Sequence, residues 1–508
     1  MADTIPGADR LLQVLNLVKT TYVVTPNTDS LCDEAIRKVL TSLDPHSIYI
    51  PAKDVQRTNE ALQGNFDGVG ITFSIFNDTV RVGEVLAGGP AEKVGLLSGD
   101  RFLRIDGINA TGDSAKNAFV FRHLRGKKGT FVVVDMLRGK DTLTFNIQRD
   151  KIPIHSVETY FMEDDTIGYI ALLRFARSSV DEFRKALKEL QTQGMTSLIL
   201  DLRGNTGGFL DIACYMANEF IKPNRLLVYQ EGRVVKRQDF KSIHRGSFRK
   251  GNIVVMVDEN SASASEIVAG AVQDWDRGLI VGRRTFGKGL VQTMFTLSDS
   301  SQIRLTTARY YTPSGRCIQR DYAEGTEAYN RDIQNRYKKG ELFTADSIHF
   351  PDSLKYKTAS GRTVYGGGGI MPDVFVPIDT TPSTKYYQLC RRKGIINQFS
   401  QYWLDRHRTD GRVNDFDAFL QHYDELDVDA EFALFAAEKG VVRDSVEESV
   451  SDSIIRFNDN FLRRQVKALL ADALFGRGHY YRIMKEEDYF YKTAVATLRK
   501  PPMALPQN

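Results

Sequence analysis

The sequence predicts a multidomain α/β protein with helical regions at both ends, and three observations carry that expectation. Between about residues 150 and 380, apolar runs of strand length alternate with amphipathic runs of helix length, as in an α/β core. Ahead of this, residues 65–149 carry short apolar segments separated by turns, which indicates a small β-rich module. Outside both, residues 1–60 and those beyond 385 repeat apolar side chains at helical spacing. A chain of 508 residues is also too long for one ordinary core. The expected division is 1–63, 64–150, 151–384 with an insertion at 321–365, and 385–508.

Each part is justified locally. Leu11, Leu15, Val18 and Tyr22 share one face of the first helical segment. In the β-rich module the strands fall at 70–75, 80–82, 101–106 and 131–136. Gly88-Gly-Pro-Ala-Glu-Lys93 starts a helix and Leu97-Ser-Gly-Asp100 is a turn. The core offers strands at 167–172, 197–200, 252–257 and 279–281 and a helix at 180–190. Residues 321–365, rich in Tyr, Lys, Asp and Ser, read as an irregular insertion. Near the end, Phe461-Leu462, Val466, Leu469-Leu470 and Ala473 mark an apolar helix face that caps the core or mediates self-association.

Composition narrows the function. Hydrophobic content of 42% and charge of 26% are those of a soluble globular protein. A net charge of +4 is small for this length and gives no reason to expect nucleic acid or a membrane surface as partner. Arg391-Arg-Lys393 reads as a solvated face, and neither a transmembrane run nor an internal repeat is evident. Cys32, Cys214, Cys317 and Cys390 fit no metal motif and permit but do not require disulfides, with Cys214 read as a buried free thiol. No metal or other cofactor is implied.

The chemistry is concentrated in Ser261-Ala-Ser-Ala-Ser-Glu266 and Phe286-Gly-Lys-Gly289. A serine hydroxyl is a poor nucleophile at neutral pH, and a desolvated neutral lysine can take its proton in place of histidine. Lys288 is the candidate base. Residues 252–257 form a strand that Asp258-Glu-Asn260 breaks, and Ile267, Ala271 and Trp275 then repeat at helical spacing. A serine at that corner lies beside unpaired helix N–H groups able to hold an oxyanion. Taken singly, each segment also has an ordinary reading, since Ser-Ala repeats cap helices and a lysine between glycines is commonly a surface loop.

Asp201-Leu-Arg-Gly-Asn-Thr-Gly-Gly208 follows another apolar strand, and Gly204, Gly207 and Gly208 admit positive φ and close approach of a substrate backbone. No Lys-Ser/Thr pair follows, which sets a phosphate-binding loop aside. The eight histidines, at 46, 123, 155, 244, 349, 407, 422 and 479, show neither metal spacing nor a nucleophile elbow, although triad members meet only in space and a Ser-His-Asp arrangement stays open.

Together with Leu43-Asp-Pro-His-Ser47, Gly68-Val-Gly-Ile71, Tyr311-Thr-Pro-Ser-Gly-Arg316 and Gly369-Ile-Met-Pro-Asp373, these motifs make the chain resemble the carboxy-terminal processing peptidases over about residues 40–380. The resemblance implies a crotonase/ClpP-like protease core with a PDZ domain and a Ser-Lys dyad. It makes Ser263 the nucleophile, because the family's lysine stands 25 positions later and Lys288 fits only that serine. It makes Gln292 the residue that orients the lysine amine, consistent with positions four apart sharing one side of a strand. It also assigns the oxyanion hole to Gly207 or Gly208 with Ala264. Thr206 stands where the family usually has proline, and Leu43-Asp-Pro-His-Ser47 is read as a turn tying the N-terminal helices to the core.

For the module at 64–150 the resemblance implies a PDZ domain with Gly68, Val69, Gly70 and Ile71 as its carboxylate-binding loop. The function implied is an endopeptidase that recognises accessible C-terminal tails of proteins or peptides and cuts through an acyl-enzyme. Gly64 and Lys151-Ile-Pro153 would act as hinges through which tail binding aligns Lys288 with Ser263. The alternatives are a non-catalytic PDZ-type scaffold, which intact Ser263, Lys288 and Gln292 disfavour, and an acyl-CoA-type enzyme, which the peptide-binding module disfavours. A homo-oligomer or an adaptor is a further expectation. Family members usually act in the periplasm, cell envelope or chloroplast lumen, so a periplasmic or envelope location is expected, with the leader replaced ahead of Met1-Ala-Asp3. A cytoplasmic location is the alternative.

Overall fold

In the computed structural model the described residues are 7–500 apart from 77, 87, 244–245, 382, 408–409 and 444–451. His244 and Met1-Ala-Asp3, on which the leader expectation rests, lie outside them.

Six strands form the core sheet in the order Val157–Met162, Ile167–Leu172, Ser197–Asp201, Asn252–Val257, Leu279–Gly282 and Val374–Phe375. The first pair is antiparallel and the rest are parallel. Parallel strands are covered on both faces, which explains their unbroken apolar runs. Every residue of Ile167–Leu172 and Ser197–Asp201 is buried. One face packs on helices Ser179–Thr192, Leu210–Asn218 and Ala264–Asp274 through Phe183, Met216, Ile267 and Val268. The other is covered by the last helix, Tyr489–Arg499, whose Tyr491, Ala494 and Val495 sit against Tyr169, Ile199 and Val254. The C-terminal region therefore supplies part of the core's own interior. Its remaining helices enclose a separate apolar cluster around Phe399, Trp403, Phe432, Leu462 and Val466.

A second, antiparallel sheet runs Ile48–Ile50, Gln302–Tyr311, Leu226–Glu231 and Gln238–Lys241, with Leu290–Thr296 also paired to Gln302–Tyr311. It brings the N-terminal region against the segment that follows Lys288. Helix Ala8–Thr21 behaves differently from the rest of that region. It buries none of its residues, and Leu11 and Tyr22 are 50% and 60% exposed, so its apolar face is left uncovered by the described residues.

The β-rich module enters through Asn65–Gly68 and leaves through Asp150–Pro153, which pair antiparallel as a two-stranded stalk. Its sheet has the order Ile71–Phe76, Thr79–Val85, Arg101–Ile105, Phe131–Arg138 and Asp141–Gln148. Asp141–Gln148 has no counterpart among the expected strands because threonine and asparagine dilute its apolar pattern, yet it pairs along its whole length with Phe131–Arg138. Ile71–Phe76 is an edge strand, open to a further strand. On another side the module touches the helical region: Asp405 pairs with Arg81 and, at 3.4 Å, with Arg101, and Phe76 packs on the helical cluster.

Residues 321–365 are not irregular. They hold helices Thr326–Asn330 and Asp332–Lys338 and a hairpin of Lys355–Lys357 with Thr363–Tyr365. Tyr329 and Arg336 are buried there, so this unit is anchored by groups that look like surface residues in the sequence. Among the described residues no helix is long and apolar enough to cross a membrane, and no cluster of His, Cys, Asp and Glu suits a metal ion. The four cysteines are free thiols.

Candidate active site

Ser263 is the N-cap of helix Ala264–Asp274, at the corner where strand Asn252–Val257 has ended. Its φ is 55°, a conformation that costs a non-glycine residue of order 1–3 kcal/mol and is held only when its surroundings over-determine it. The surroundings do so. Its amide donates to Glu266 Oε2 at 2.8 Å, and its carbonyl accepts from the Ile267 amide at 3.0 Å and the Tyr310 hydroxyl at 3.1 Å. The flanking serines are fully buried and committed elsewhere: Ser261 Oγ donates to Leu202 O and Ser265 Oγ to Asn205 O, both at 2.8 Å. Ser263 alone of the three lines a cavity of about 320 Å³, together with Gly207, Gly208, Ile267, Lys288 and Gln292.

Lys288 lies in a stretch, 284–289, that belongs to no strand or helix. Its amine donates to Gln292 Oε1 at 3.0 Å, and the Gln292 amide group donates in turn to the backbone carbonyl of His46. Burial, with the nearby Arg304 guanidinium, holds the amine below the ordinary lysine value. No hydrogen bond joins Ser263 Oγ to Lys288 Nζ in this structure; apo dyads commonly tighten only with substrate. The contact between Lys288 and Gln292 does not follow from strand alternation, for the strand begins at Leu290 and its register shifts between Val291 and Gln292.

The motif Leu43-Asp-Pro-His-Ser47 is more than a tie. Asp44 accepts from the His46 and Ser47 amides at 2.7 and 2.8 Å, which fixes the loop so that the His46 carbonyl meets Gln292. The His46 ring reaches the Tyr329 hydroxyl at 2.8 Å, and burial, with the Lys288 amine beside it, lowers its pKa to about 4, so it is neutral at physiological pH. Among the described residues no histidine lines the cavity with Ser263.

Gly207 stands against Ser263 and Gly208 against Phe175. A Cβ on Gly207 would lie 2.8–2.9 Å from Ala262 O, Ala264 N and Ser263 Cβ, and one on Gly208 2.1 Å from Phe175 O. Only glycine fits either position. The Gly207 amide is already given to Asn205 Oδ1 at 2.9 Å, which narrows the expected oxyanion donors to Gly208 and Ala264.

Glu266, the last residue of the serine motif, proves central. Fully buried, it accepts from the amides of Ser263, Gly287 and Lys288 at 2.8, 2.7 and 2.9 Å and from Thr285 Oγ1 at 2.5 Å. Burial raises its pKa against the pull of those four donors. A glutamate three residues after an N-cap is a recognisable capping pattern, and that was the available signal.

In the module, Gly68 ends the stalk and Ile71 begins the edge strand, with Val69 O and Gly70 O held by the Ala91 and Leu86 amides at 2.9 and 3.0 Å. Phe73 on that strand meets Phe121 of helix Asn117–Leu124 at 5.2 Å between ring centres. Arg125, just beyond the helix, lies over Phe66 and Phe121 and pairs at 2.6 Å with Glu60. Glu60 shares helix Ala52–Gln63 with Leu62, which lines the Ser263 cavity. The module and the cavity are thus linked by one short helix.

A serine at a strained strand-to-helix corner, a buried amine and glycine amides around one cavity, beside an edge-strand peptide-binding module, define a serine hydrolase built to act on polypeptide. Known proteins agree. Residues 166–328 match the model of peptidase family S41, residues 68–148 the PDZ domain, and residues 386–476 a family of unknown function, DUF8443. The chain is 37% identical over 322 residues to the carboxy-terminal-processing protease of Bartonella bacilliformis, covering 61% of this chain and 72% of that one. It is 31% identical over 312 residues to the carboxy-terminal processing protease CtpA of Bacillus subtilis, covering 61% and 66%. A solved structure of a photosystem II D1 C-terminal processing protease aligns with 26% identity over 74% of this chain and 95% of that one, at a TM-score of 0.38. The chain belongs to peptidase family S41, the serine peptidases that include the carboxy-terminal processing proteases, and carries the family's PDZ domain and ClpP/crotonase-like core.

Proposed function

We propose that this protein is an endopeptidase that captures C-terminal tails in its PDZ domain and cleaves them through an acyl-enzyme on Ser263, with Lys288 as base. The observation that carries the reading is the convergence of Ser263, Lys288, Gln292 and Gly208 on one cavity while the neighbouring serines are bonded into the core. Neutral Lys288 takes the Ser263 proton as Oγ bonds to the scissile carbonyl carbon. The carbonyl π electrons move to oxygen, where the Gly208 and Ala264 amides receive them. The tetrahedral adduct then collapses, the C–N bond breaks, and the Lys288 ammonium protonates the leaving amine. Water attacks the ester under the same base, and Ser263 is released.

The link from the module through helix Ala52–Gln63 to the cavity supports a resting state that the tail activates. A tail carboxylate in the loop at Gly68–Ile71, with its chain added along Ile71–Phe76, would shift the module on its stalk and, through helix Ala52–Gln63, the wall of the cavity. An envelope location belongs to the same proposal, from the family resemblance.

The test is digestion of an unfolded protein by wild type and Ser263→Ala, with the products read by mass spectrometry. Tail-proximal cuts that vanish in the variant are expected. Equal cutting by both would refute the assignment of Ser263. Cutting by neither, even with a saturating tail peptide, would refute the peptidase reading.

A further inference from the structure

Residues 284–289 place the base without any strand or helix of their own, so their position depends on what holds their backbone groups. From one side Glu266 takes the amides of Gly287 and Lys288. From the other side comes Arg336, in helix Asp332–Lys338 of the insertion and beyond the S41 match that ends at 328. Its guanidinium is buried and donates to three successive carbonyls: Arg284 O at 3.2 Å, Thr285 O at 2.8 Å and Phe286 O at 3.2 Å. A planar fork with five donors suits such a row of acceptors, and an ammonium does not.

The fork is itself held. Asp332 pairs with Arg336 at 2.7 Å and also with Arg320, whose guanidinium lies 4.0 Å over the Phe286 ring and 3.8 Å over Tyr329. The Arg320 amide donates to Gly287 O at 3.0 Å, and Gln319 Oε1 accepts from the Gly289 amide at 2.8 Å. Tyr329 then meets the His46 ring, in the same loop whose carbonyl holds Gln292. The backbone on both sides of Lys288 is thus set by Glu266 and by residues 319–336, and the insertion's share is Arg336 on carbonyls 284–286 and Tyr329 behind the partner of the amine.

We propose that Arg336 is a positioning residue for the base, clamping carbonyls 284–286 so that the Lys288 amine stays buried and within reach of Ser263. The inference rests on the Ser-Lys reading above. Without the clamp the loop admits water, the amine regains solvation, and its proton is held to higher pH. Small misplacement of a reacting group is costly, of order a hundredfold in rate.

The experiment measures the rate at which a fluorophosphonate labels Ser263 between pH 6 and 10, together with kcat and KM on a tail peptide. Arg336→Met is expected to label about a hundredfold more slowly, with its acidic limb moved to higher pH and KM within about twofold. Arg336→Lys should recover little, because an ammonium cannot span three carbonyls. In Arg336→Ala, added guanidinium ion should restore labelling at least tenfold, with no effect on Lys288→Ala. A labelling rate and pH profile within twofold of wild type in Arg336→Met overturn the proposal. If Arg336→Met does not fold, Asp332→Asn decides, since it removes the partner that orients the fork: the same shift of the limb supports the clamp, and an unmoved limb overturns it. Labelling that survives in Lys288→Ala would instead sink the Ser-Lys reading, so the two failures are distinct.

Discussion

The backbone amides of Ser263 and Lys288 donate to the same oxygen, Oε2 of Glu266, at 2.8 and 2.9 Å. The proposed nucleophile caps a helix and the proposed base lies in a stretch without strand or helix, and one buried carboxylate fixes the distance between their backbones. Its other oxygen takes Thr285 Oγ1 and the Gly287 amide. All four partners are donors, so the site demands an acceptor at both oxygens.

Glu266→Gln tests that demand. Whichever way the amide turns, its NH2 faces at least one backbone N–H that cannot accept: Gly287 on one side, Ser263 and Lys288 on the other. The expected outcome is a kcat lowered about a hundredfold, close to 2.7 kcal/mol, and unfolding made easier by roughly 1–3 kcal/mol. Glu266→Ala should lose more stability, because all four donors are left unpaired. Steady-state kinetics beside urea unfolding separate the two effects; a Glu266→Gln enzyme with wild-type kcat would refute the role.

The site and its frame were legible in the sequence to different degrees. The buried parallel strands could be read because both faces are covered and their apolar runs are unbroken, as in Ile167–Leu172 and Asn252–Val257. The serine segment and Lys288 stood out because a cap, a strand end and flanking glycines are local signals, while the choice of Ser263 among the three serines came from the resemblance's spacing to Lys288. Arg336, Tyr329 and the His46 carbonyl could not. Their contributions depend on long-range contacts: Arg336 reaches carbonyls about 50 residues earlier in the chain, and His46 meets Gln292 246 positions later. The insertion looked irregular for the same reason, since its buried anchors are charged or hydroxylated side chains paired only in space.

The pH dependence of kcat should follow Lys288. Burial and Arg304 lower its pKa from 10.5, so activity rises with pH through a limb lying below the ordinary lysine value. The stability sign is opposite to that of a salt-bridged lysine. In the window between the lowered folded value and 10.5 the unfolded chain binds the proton and the folded chain does not, so stability rises with pH there and the burial cost is borne in full below it. Lys288→Met should therefore be inactive and at least as stable as wild type at pH 7. A lower Tm for that variant would count against a desolvated amine.

His46 gives a second, separable pH effect. Its pKa falls from 6.5 to about 4, so the unfolded chain takes up the proton first and stability declines as pH drops through that window. His46→Gln keeps the carbonyl that holds Gln292 and removes the titrating ring. Its Tm should vary less than that of wild type between pH 6.5 and 4; parallel curves for the two proteins would show that the ring contributes nothing.

Gly207→Ala brings a Cβ within 3 Å of Ala262 O, Ala264 N and Ser263 Cβ, at a φ of 100° that side chains rarely adopt. All three neighbours are backbone or nucleophile and cannot yield without moving Ser263. Activity should fall at least about a hundredfold, while the PDZ domain, remote from the clash, keeps its tail-peptide affinity. Calorimetric binding beside the activity assay checks both halves, and an active Gly207→Ala enzyme would mean that the loop moves away from the nucleophile.

The module's freedom to move is set partly by Asp405, which joins Arg81 and Arg101 of the PDZ sheet to the helical region where Phe76 is packed. Arg81 is nearly buried and Asp405 about 29% exposed, so losing the carboxylate leaves a poorly hydrated cation and weakens the contact more than a surface pair would. If tail binding acts by shifting the module, this latch opposes the shift. Asp405→Asn should then raise the basal rate on a short peptide severalfold and shrink the stimulation by an uncleavable tail peptide. Hydrogen exchange should quicken along Thr79–Val85, where Arg81 sits, with core strands such as Ser197–Asp201 unchanged. Equal basal rates and equal stimulation in the two proteins would mean that the helical region holds the module without regulating it.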